Sequence, residues 1–132
     1  MPRKLIAGLA LVCAFAIPAG TAGAATADVV IESAVLVNNF QVQVIGSITC
    51  SPGNTYSLSV EVLQQGPARE LRGGGTFVFD YCSMTGKTTW VVTVTGGPFK
   101  PGEALVRANG GECDFDGCSS DLEETLVRLS HA

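Results

Sequence analysis

The sequence is poor in the side chains that catalysis usually requires. It has one histidine, His131, which stands beside the C-terminal residue. A general base has to be held in a fixed position, and chain termini are commonly poorly ordered, so His131 is a weak candidate for that role. Serines are plentiful, but none lies in the G-x-S-x-G motif of a nucleophile elbow. We therefore expect no enzymatic activity and no cofactor.

Basic residues are also scarce. The chain has eight Lys and Arg against twelve Asp and Glu, a net charge of −4. Binding to nucleic acid needs clustered Lys and Arg to neutralise phosphates, whereas the basic residues here are scattered along the chain. We therefore expect no nucleic-acid partner.

No apolar run is long enough to span a membrane. The run Leu5–Ile17 is preceded by two basic residues and followed by small residues ending in Ala22–Ala24. A spanning helix needs about 20 apolar residues, so this shorter run is typical of a secretory signal peptide with an A-x-A cleavage site. We predict a signal peptide over residues 1–24 and a single domain over residues 25–132. The protein would be secreted, to the cell envelope or the extracellular space.

Cysteine is the informative residue of the predicted domain. One of the five cysteines falls in the predicted signal peptide, and four remain: Cys50, Cys82, Cys113 and Cys118. Four cysteines in a small exported domain predict two disulfides with three possible connectivities. Four residues lie between Cys113 and Cys118, and this proximity favours their pairing and leaves Cys50 with Cys82. A zinc site would need two close pairs, so we predict no metal.

The rest of the chain alternates apolar and polar residues, which predicts strands that pack on a core by one face. Gly, Pro and Asn residues between the segments indicate turns. The segment Asp121–Leu129 also fits a helical stripe, and we assign it as a closing strand. Trp90 falls on an apolar strand face and is predicted to be core. The predicted strands are Asp28–Val37, Phe40–Cys50, Thr55–Leu63, Thr76–Cys82, Thr88–Thr95, Glu103–Ala108 and Asp121–Leu129.

Strands at this spacing predict an all-β fold, an immunoglobulin-like sandwich of about seven short antiparallel strands with two disulfides. In the fourth strand, Phe77, Phe79 and Tyr81 share a face and are predicted to point inward. Strict alternation then points Cys82 outward, whereas Cys50 points inward. A bulge near Cys82 or a bridge at the rim of the sheet would reconcile the two.

A longer predicted loop is Gly66–Gly75, which contains four glycines. Its glycines predict mobility. Because it carries Arg69 and Arg72, a protease inhibitor, or another extracellular effector, is one alternative function.

The candidate binding residues are Asp114, Phe115 and Asp116, which the pair Cys113 and Cys118 encloses. A phenylalanine on a pinned loop is either a rigid binding anchor or a plug folded over the end of the sandwich. The surrounding segment 112–124 has six acidic residues and no basic one. That leaves open a weak calcium site, a surface for a cationic partner and a plain solvated face.

Five segments of the chain carry a resemblance to a known type of protein: Gly46–Cys50, Ser57–Val62, Cys82, Trp90–Val94 and Phe99–Ala104. Through them the sequence resembles the small exported immunoglobulin-like domain proteins of unknown function from actinobacteria. The resemblance covers about residues 42–110 and implies a fold and an extracellular address.

A second resemblance is to the neocarzinostatin-type chromoproteins, which are secreted immunoglobulin-like domains that carry an enediyne. Like them, the chain has a short cysteine loop, between Cys113 and Cys118. In that family the other bridge also closes a short loop, whereas Cys50 and Cys82 lie far apart. This resemblance implies a small-molecule carrier. Our first expectation is a non-catalytic monomer with a binding or structural role outside the cell, and with an unknown protein or envelope component as partner.

Overall fold

The computed structural model describes residues 27–74 and 78–132, which form an all-β fold. The predicted signal peptide and Phe77 lie outside these residues. None of the described residues forms a helix long and apolar enough to cross a membrane. The strands are β1 (Asp28–Asn38), β2 (Gln41–Thr49), β3 (Thr55–Gln65), β4 (Glu70–Gly74), β5 (Val78–Tyr81), β6 (Lys87–Gly96), β7 (Gly102–Asp114) and β8 (Gly117–Leu129).

The strands pair in the order β1-β2-β6-β4-β3-β7-β8, and each of these pairings is antiparallel. Strand β3 pairs with β4 through Val62–Gln65 and with β5 through Thr55–Leu58, so β4 and β5 follow one another along one side of it. Through Gly73 and Gly74, β4 also pairs with β6. It thereby joins the layer β1-β2-β6 to the layer β5-β3-β7-β8 of the sandwich.

The core lies between the inward faces of these layers, as the alternation predicts. Trp90 is buried, which confirms its predicted place in the core. Phe99 closes the core at the end where β6 turns into β7. The buried apolar residues include Val29, Leu36, Val42, Val44, Ile48, Tyr56, Leu58, Val60, Val62, Trp90, Val92, Val94, Phe99, Val106 and Leu129.

The first and last strands also meet. The backbone N–H of Val29 donates to Asp121 Oδ2 at 2.8 Å, and the N–H of Leu36 donates to the Ser130 carbonyl at 2.8 Å. The segment Asp121–Leu129 is therefore the closing strand, and the helical alternative is wrong.

The prediction of a loop over Gly66–Gly75 is wrong for half of that segment. Glu70–Gly74 is strand β4, and the turn before it is closed by the Gly66 N–H, which donates to the Arg69 carbonyl at 2.9 Å. Glycine has a packing reason here, because a Cβ on Gly73 would lie 2.8 Å from Phe99 Cζ. Gly73 is therefore needed for close packing between the layers, whereas a Cβ on Gly74 would meet nothing within 4 Å.

The predicted orientation of the fourth strand is wrong as well. Phe79 and Tyr81 are 67% and 69% exposed, whereas Cys82 is buried. The pairing of Tyr81 with Thr55 places Tyr81 on the outward face of the layer, because the inward face of β3 holds Tyr56 and Leu58. Because Tyr81 points outward, the next residue, Cys82, points inward toward Cys50, and no bulge is needed.

Candidate functional site

Both disulfides lie at one end of the sandwich. We call this the disulfide end, and it comprises the connections 50–54, 82–86 and 115–116. Cys50 pairs with Cys82 and Cys113 pairs with Cys118, with Cα–Cα distances of 6.0 and 4.0 Å. The predicted connectivity is confirmed. Two disulfides are typical of proteins that fold in an oxidising compartment.

Backbone hydrogen bonds join the first two connections of the disulfide end. The Cys82 N–H donates to the Asn54 carbonyl at 2.7 Å, and the Gly53 N–H donates to the Cys82 carbonyl at 3.1 Å. Gly53 has a φ of 84°, a left-handed conformation that favours glycine. The Cys50 N–H donates to the Gly86 carbonyl at 3.0 Å. These contacts hold the two connections as one unit.

The third connection is the tip of the β7–β8 hairpin. Cys113 lies directly opposite Cys118, so the disulfide crosses the ladder one rung before its last pair, Asp114 and Gly117. The Asp116 N–H donates to Asp114 Oδ1 at 2.8 Å, which fixes the turn. Phe115 is fully exposed at the tip. The binding-anchor interpretation of Phe115 is therefore compatible with the structure, and the core-plug interpretation is wrong.

Two further aromatic side chains lie beside this tip. Thr55 on β3 pairs with Tyr81 on one side and with Cys113 on the other. Neighbouring strands are about 4.8 Å apart, so Tyr81 lies roughly 10 Å from the base of the hairpin tip. Phe79 is two residues earlier on the same outward face. We call Phe79, Tyr81 and Phe115 the aromatic surface.

Two carboxylates lie beside Phe115, since Asp114 and Asp116 flank it in the sequence. Asp80 is exposed on β5 but pairs with the inward-facing Tyr56, so it points to the opposite face of β5 from Phe79 and Tyr81. In the segments 50–57, 78–87 and 109–120, which are all described, Lys87 is the one basic residue. The disulfide end thus combines exposed rings with negative charge.

A buried carboxylate lies beneath this surface. Glu112 on β7 is 1% exposed, and its Oε1 accepts from the Ser51 N–H at 2.9 Å and from Asn54 Nδ2 at 3.1 Å. The pairing of Tyr56 with Glu112 places the phenol beside it. Burial, and then the charge of Asp80, raise the pKa of Tyr56 above its usual value.

The predicted acidic segment 112–124 is not one open face. Glu112 and Glu123 are buried, and Glu124 Oε2 accepts from Arg107 Nε at 2.7 Å. That hydrogen bond raises the pKa of Arg107, and the charges of Glu124 and Glu61 act in the same direction. Within residues 27–74 and 78–132, no cluster of three or more His, Cys, Asp or Glu is arranged to hold a metal ion.

A shallow groove crosses the outward face of the layer β5-β3-β7-β8. It has a volume of about 380 Å³, and its lining includes Ser59, Arg107, Asn109 and Leu122. Its lining also includes Glu61, which forms an ion pair with Arg107 at 3.0 Å. The groove lies on the same layer as Phe79 and Tyr81.

The other residues considered from sequence have structural partners. Arg72 Nη1 forms an ion pair with Glu61 Oε2 at 2.8 Å, and Arg72 Nη2 lies 3.5 Å from a Glu70 carboxylate oxygen. His131 forms a parallel bridge with Leu36. Neither arrangement positions a reactive group.

No family model matches the chain, and no curated protein matches it. A solved structure of the β-glucosidase from Listeria innocua in complex with isofagomine is similar, with a TM-score of 0.50 and 14% sequence identity. The match covers 80% of this chain and 16% of that chain, and at this identity it shows an all-β fold alone.

Two smaller structures are similar at lower scores. AggA, the major subunit of aggregative adherence fimbriae type I from Escherichia coli, has a TM-score of 0.44 and 14% sequence identity. The match covers 80% of this chain and 95% of AggA. Macromomycin, a chromoprotein of the neocarzinostatin type, has a TM-score of 0.35 and 19% sequence identity, and the match covers 80% of this chain and 99% of macromomycin. Neither likeness bears on function. The resemblance to exported actinobacterial domains stays a prediction.

Proposed function

We propose that this chain is an exported, non-catalytic binding domain and that the disulfide end carries its binding surface. The observation that supports this most directly is the fully exposed Phe115 on a tip closed by Cys113 and Cys118. A braced tip loses little conformational entropy when it binds, so a ring presented there is a favourable anchor. Exposed rings at Phe79 and Tyr81 extend the same surface.

Export is the second part of the proposal. Residues 1–24 have the order of a signal peptide, and the two disulfides fit the oxidising compartment to which such a peptide leads. When the full chain is expressed in a secreting bacterium, the protein recovered from the culture medium should begin at Ala25 and have no free thiol. Reversing the charge of Arg3 and Lys4 to Glu should hold the protein back in the cells. Equal secretion of the two chains would contradict this part.

A capture experiment tests the binding surface. The immobilised, oxidised protein is incubated with culture medium and envelope extract from the organism that makes it. The triple variant Phe79→Ser/Tyr81→Ser/Phe115→Ser should lose a specific partner that the parent protein retains. Phe40→Ser is the matched control, because Phe40 is exposed at the opposite end of the sandwich. A partner that the triple variant captures equally well would contradict the assignment.

A small-molecule carrier is the second candidate, and the groove beside Arg107 and Leu122 favours it. Its volume, about 380 Å³, is at the small end of the range for ligand pockets. Native mass spectrometry of protein purified from culture should then show a bound small molecule. Leu122→Arg would fill the groove and should remove that added mass, whereas Leu126→Arg, further along β8, should keep it.

A further inference from the structure

We propose that the partner of the aromatic surface is a positively charged segment of polypeptide, rich in Arg and Lys. This inference rests on the function proposed above and names the class of its ligand. The faces of aromatic rings attract cations through their quadrupole, and guanidinium groups stack on them especially well. Phe79, Tyr81 and Phe115 offer three such rings on one end of a rigid domain.

The charges around the rings favour the same ligand. Asp114 and Asp116 stand on either side of Phe115 at the tip of the hairpin. A carboxylate beside an aromatic face adds ion pairing to the cation–π attraction. The two interactions together select a cationic side chain over a neutral apolar one.

The same charges disfavour anionic macromolecular ligands at this tip. Anionic lipid headgroups and nucleic-acid phosphates would be repelled by Asp114 and Asp116, and binding to either needs clustered Lys and Arg. Across the segments 50–57, 78–87 and 109–120 there is one basic residue, Lys87. The charge pattern at this end therefore complements a basic peptide.

The geometry also fits an extended peptide. Tyr81, Thr55 and Cys113 stand in one row across three neighbouring strands, and Phe115 lies two residues after Cys113, at the tip of the hairpin. The row measures roughly 10 Å between its outer strands. An extended chain advances about 3.3 Å per residue, so side chains at every second or third position could reach successive rings. Thr55 between the aromatic strands is short and leaves the path across the row open.

The test uses an acetylated and amidated hexa-arginine peptide and the isotope-labelled, oxidised protein. Titration followed by NMR should give saturable shifts at residues 79–81 and 114–116. The dissociation constant should rise by about tenfold or more between 0.1 and 1 M salt, as the Debye length falls from about 10 to 3 Å. A hexaglutamate peptide of the same length should give no saturable shift. Saturable binding of hexaglutamate, or shifts centred on another face, would overturn the proposal.

Conservative variants separate the two contributions. Phe115→Leu keeps the apolar volume but removes the ring face, and it should weaken hexa-arginine binding by about fivefold. Phe115→Tyr should bind like the parent protein. Asp114→Asn keeps the Oδ1 acceptor that fixes the turn while it removes the charge, and it should weaken binding to a similar extent. If Phe115→Leu binds as tightly as the parent, the proposed cation–π recognition is wrong.

Controls at the far end keep the result specific. Phe40→Leu and Glu103→Gln change an exposed ring and an exposed carboxylate away from the disulfide end, and both should bind hexa-arginine like the parent protein. Cosedimentation with phosphatidylglycerol vesicles should leave the protein in solution, and binding to them would overturn the proposal. If hexa-arginine fails while the triple variant still loses its natural partner, the binding surface stands and the cationic ligand is wrong.

Discussion

Glu112 on β7 accepts a hydrogen bond from the backbone N–H of Ser51, with an N–O distance of 2.9 Å. The contact spans 61 positions of the sequence and joins a residue next to one disulfide to a residue next to the other. The same oxygen accepts from Asn54 Nδ2, whereas Oε2 is buried and has no hydrogen-bond partner. One buried carboxylate thus holds the connection 50–54 against the β7–β8 hairpin.

We expect Glu112→Ala to lower the free energy of unfolding by about 1–3 kcal/mol, because it leaves the partly buried Ser51 N–H without its acceptor. Glu112→Gln keeps one acceptor oxygen and removes a buried charge, so it should lose less. Urea denaturation measures both variants. Glu103→Ala, on the exposed start of the same strand, is the control and should stay within about 0.5 kcal/mol of the parent. An equal loss for Ala and Gln would show that the carboxylate's acceptor role is not what matters.

The two disulfides should contribute unequally to stability. In the chain-entropy model, the bridge from Cys50 to Cys82 contributes about 3.7 kcal/mol and the one from Cys113 to Cys118 about 2.2 kcal/mol, because the first closes a longer loop. Replacing each pair by serine and comparing denaturant midpoints measures the difference. Peptide mapping without reductant checks the pairing. A cross-linked peptide that joins Cys50 to Cys113 or Cys118 would contradict the fold described here.

Gly46 is predicted to be intolerant of any side chain. A Cβ at this position would collide with the carbonyl oxygen of Val30 and with the ring of Trp90. We expect Gly46→Ala to cost about 1–3 kcal/mol, because the carbonyl belongs to a paired strand and cannot move freely. Gly74→Ala is the matched control, since a Cβ there meets nothing within 4 Å. Melting temperatures that fall equally for the two variants would contradict the packing of Trp90 over Gly46.

Trp90 itself should be a large contributor to the core. It is 3% exposed and lies on β6 between the two layers. Trp90→Ala should destabilise the domain by about 3–5 kcal/mol. A loss of less than about 1 kcal/mol in denaturant melts would place the indole at the surface.

Stability should fall at alkaline pH because of Tyr56. Burial and the charge of Asp80 raise the pKa of Tyr56 in the folded protein, so folding favours the neutral phenol. This contribution is complete below the unfolded pKa, about 10, and is lost as pH rises through the folded pKa. In a Tyr81→Phe background, the absorbance of the remaining phenolate should titrate above pH 10. Tyr56→Phe should remove this part of the alkaline loss, and an unchanged pH profile would contradict it.

Period-two alternation was sufficient to predict the strands and their inward faces in β2, β3 and β6, because each of those strands packs one apolar face on the core. It failed for β5, where aromatic residues occupy the outward face. Hydrophobicity alone cannot distinguish an exposed ring from a buried one. A disulfide between Cys50 and Cys82 requires Cys82 to point inward. That requirement was the sequence signal for the correct orientation of β5.

The candidate site was predicted in part. The cysteine spacing indicated the tip that presents Phe115, but Phe79 and Tyr81 were assigned to the core. The acidic segment 112–124 looked uniform in sequence, whereas the fold buries Glu112 and Glu123 and pairs Glu124 with Arg107. Long-range partners of this kind are set by the pairing of β7 with β3 and β8, which local pattern does not specify.

Hydroxyl-radical footprinting of the oxidised protein, with and without culture medium and envelope extract from its source, tests the central claim most directly. It reads the exposure of individual aromatic side chains, and the exposed Phe40 serves as an internal control at the opposite end. The account predicts that oxidation of Phe79, Tyr81 and Phe115 falls on binding while that of Phe40 is unchanged. Protection of Phe40 with no change at the aromatic surface would contradict it.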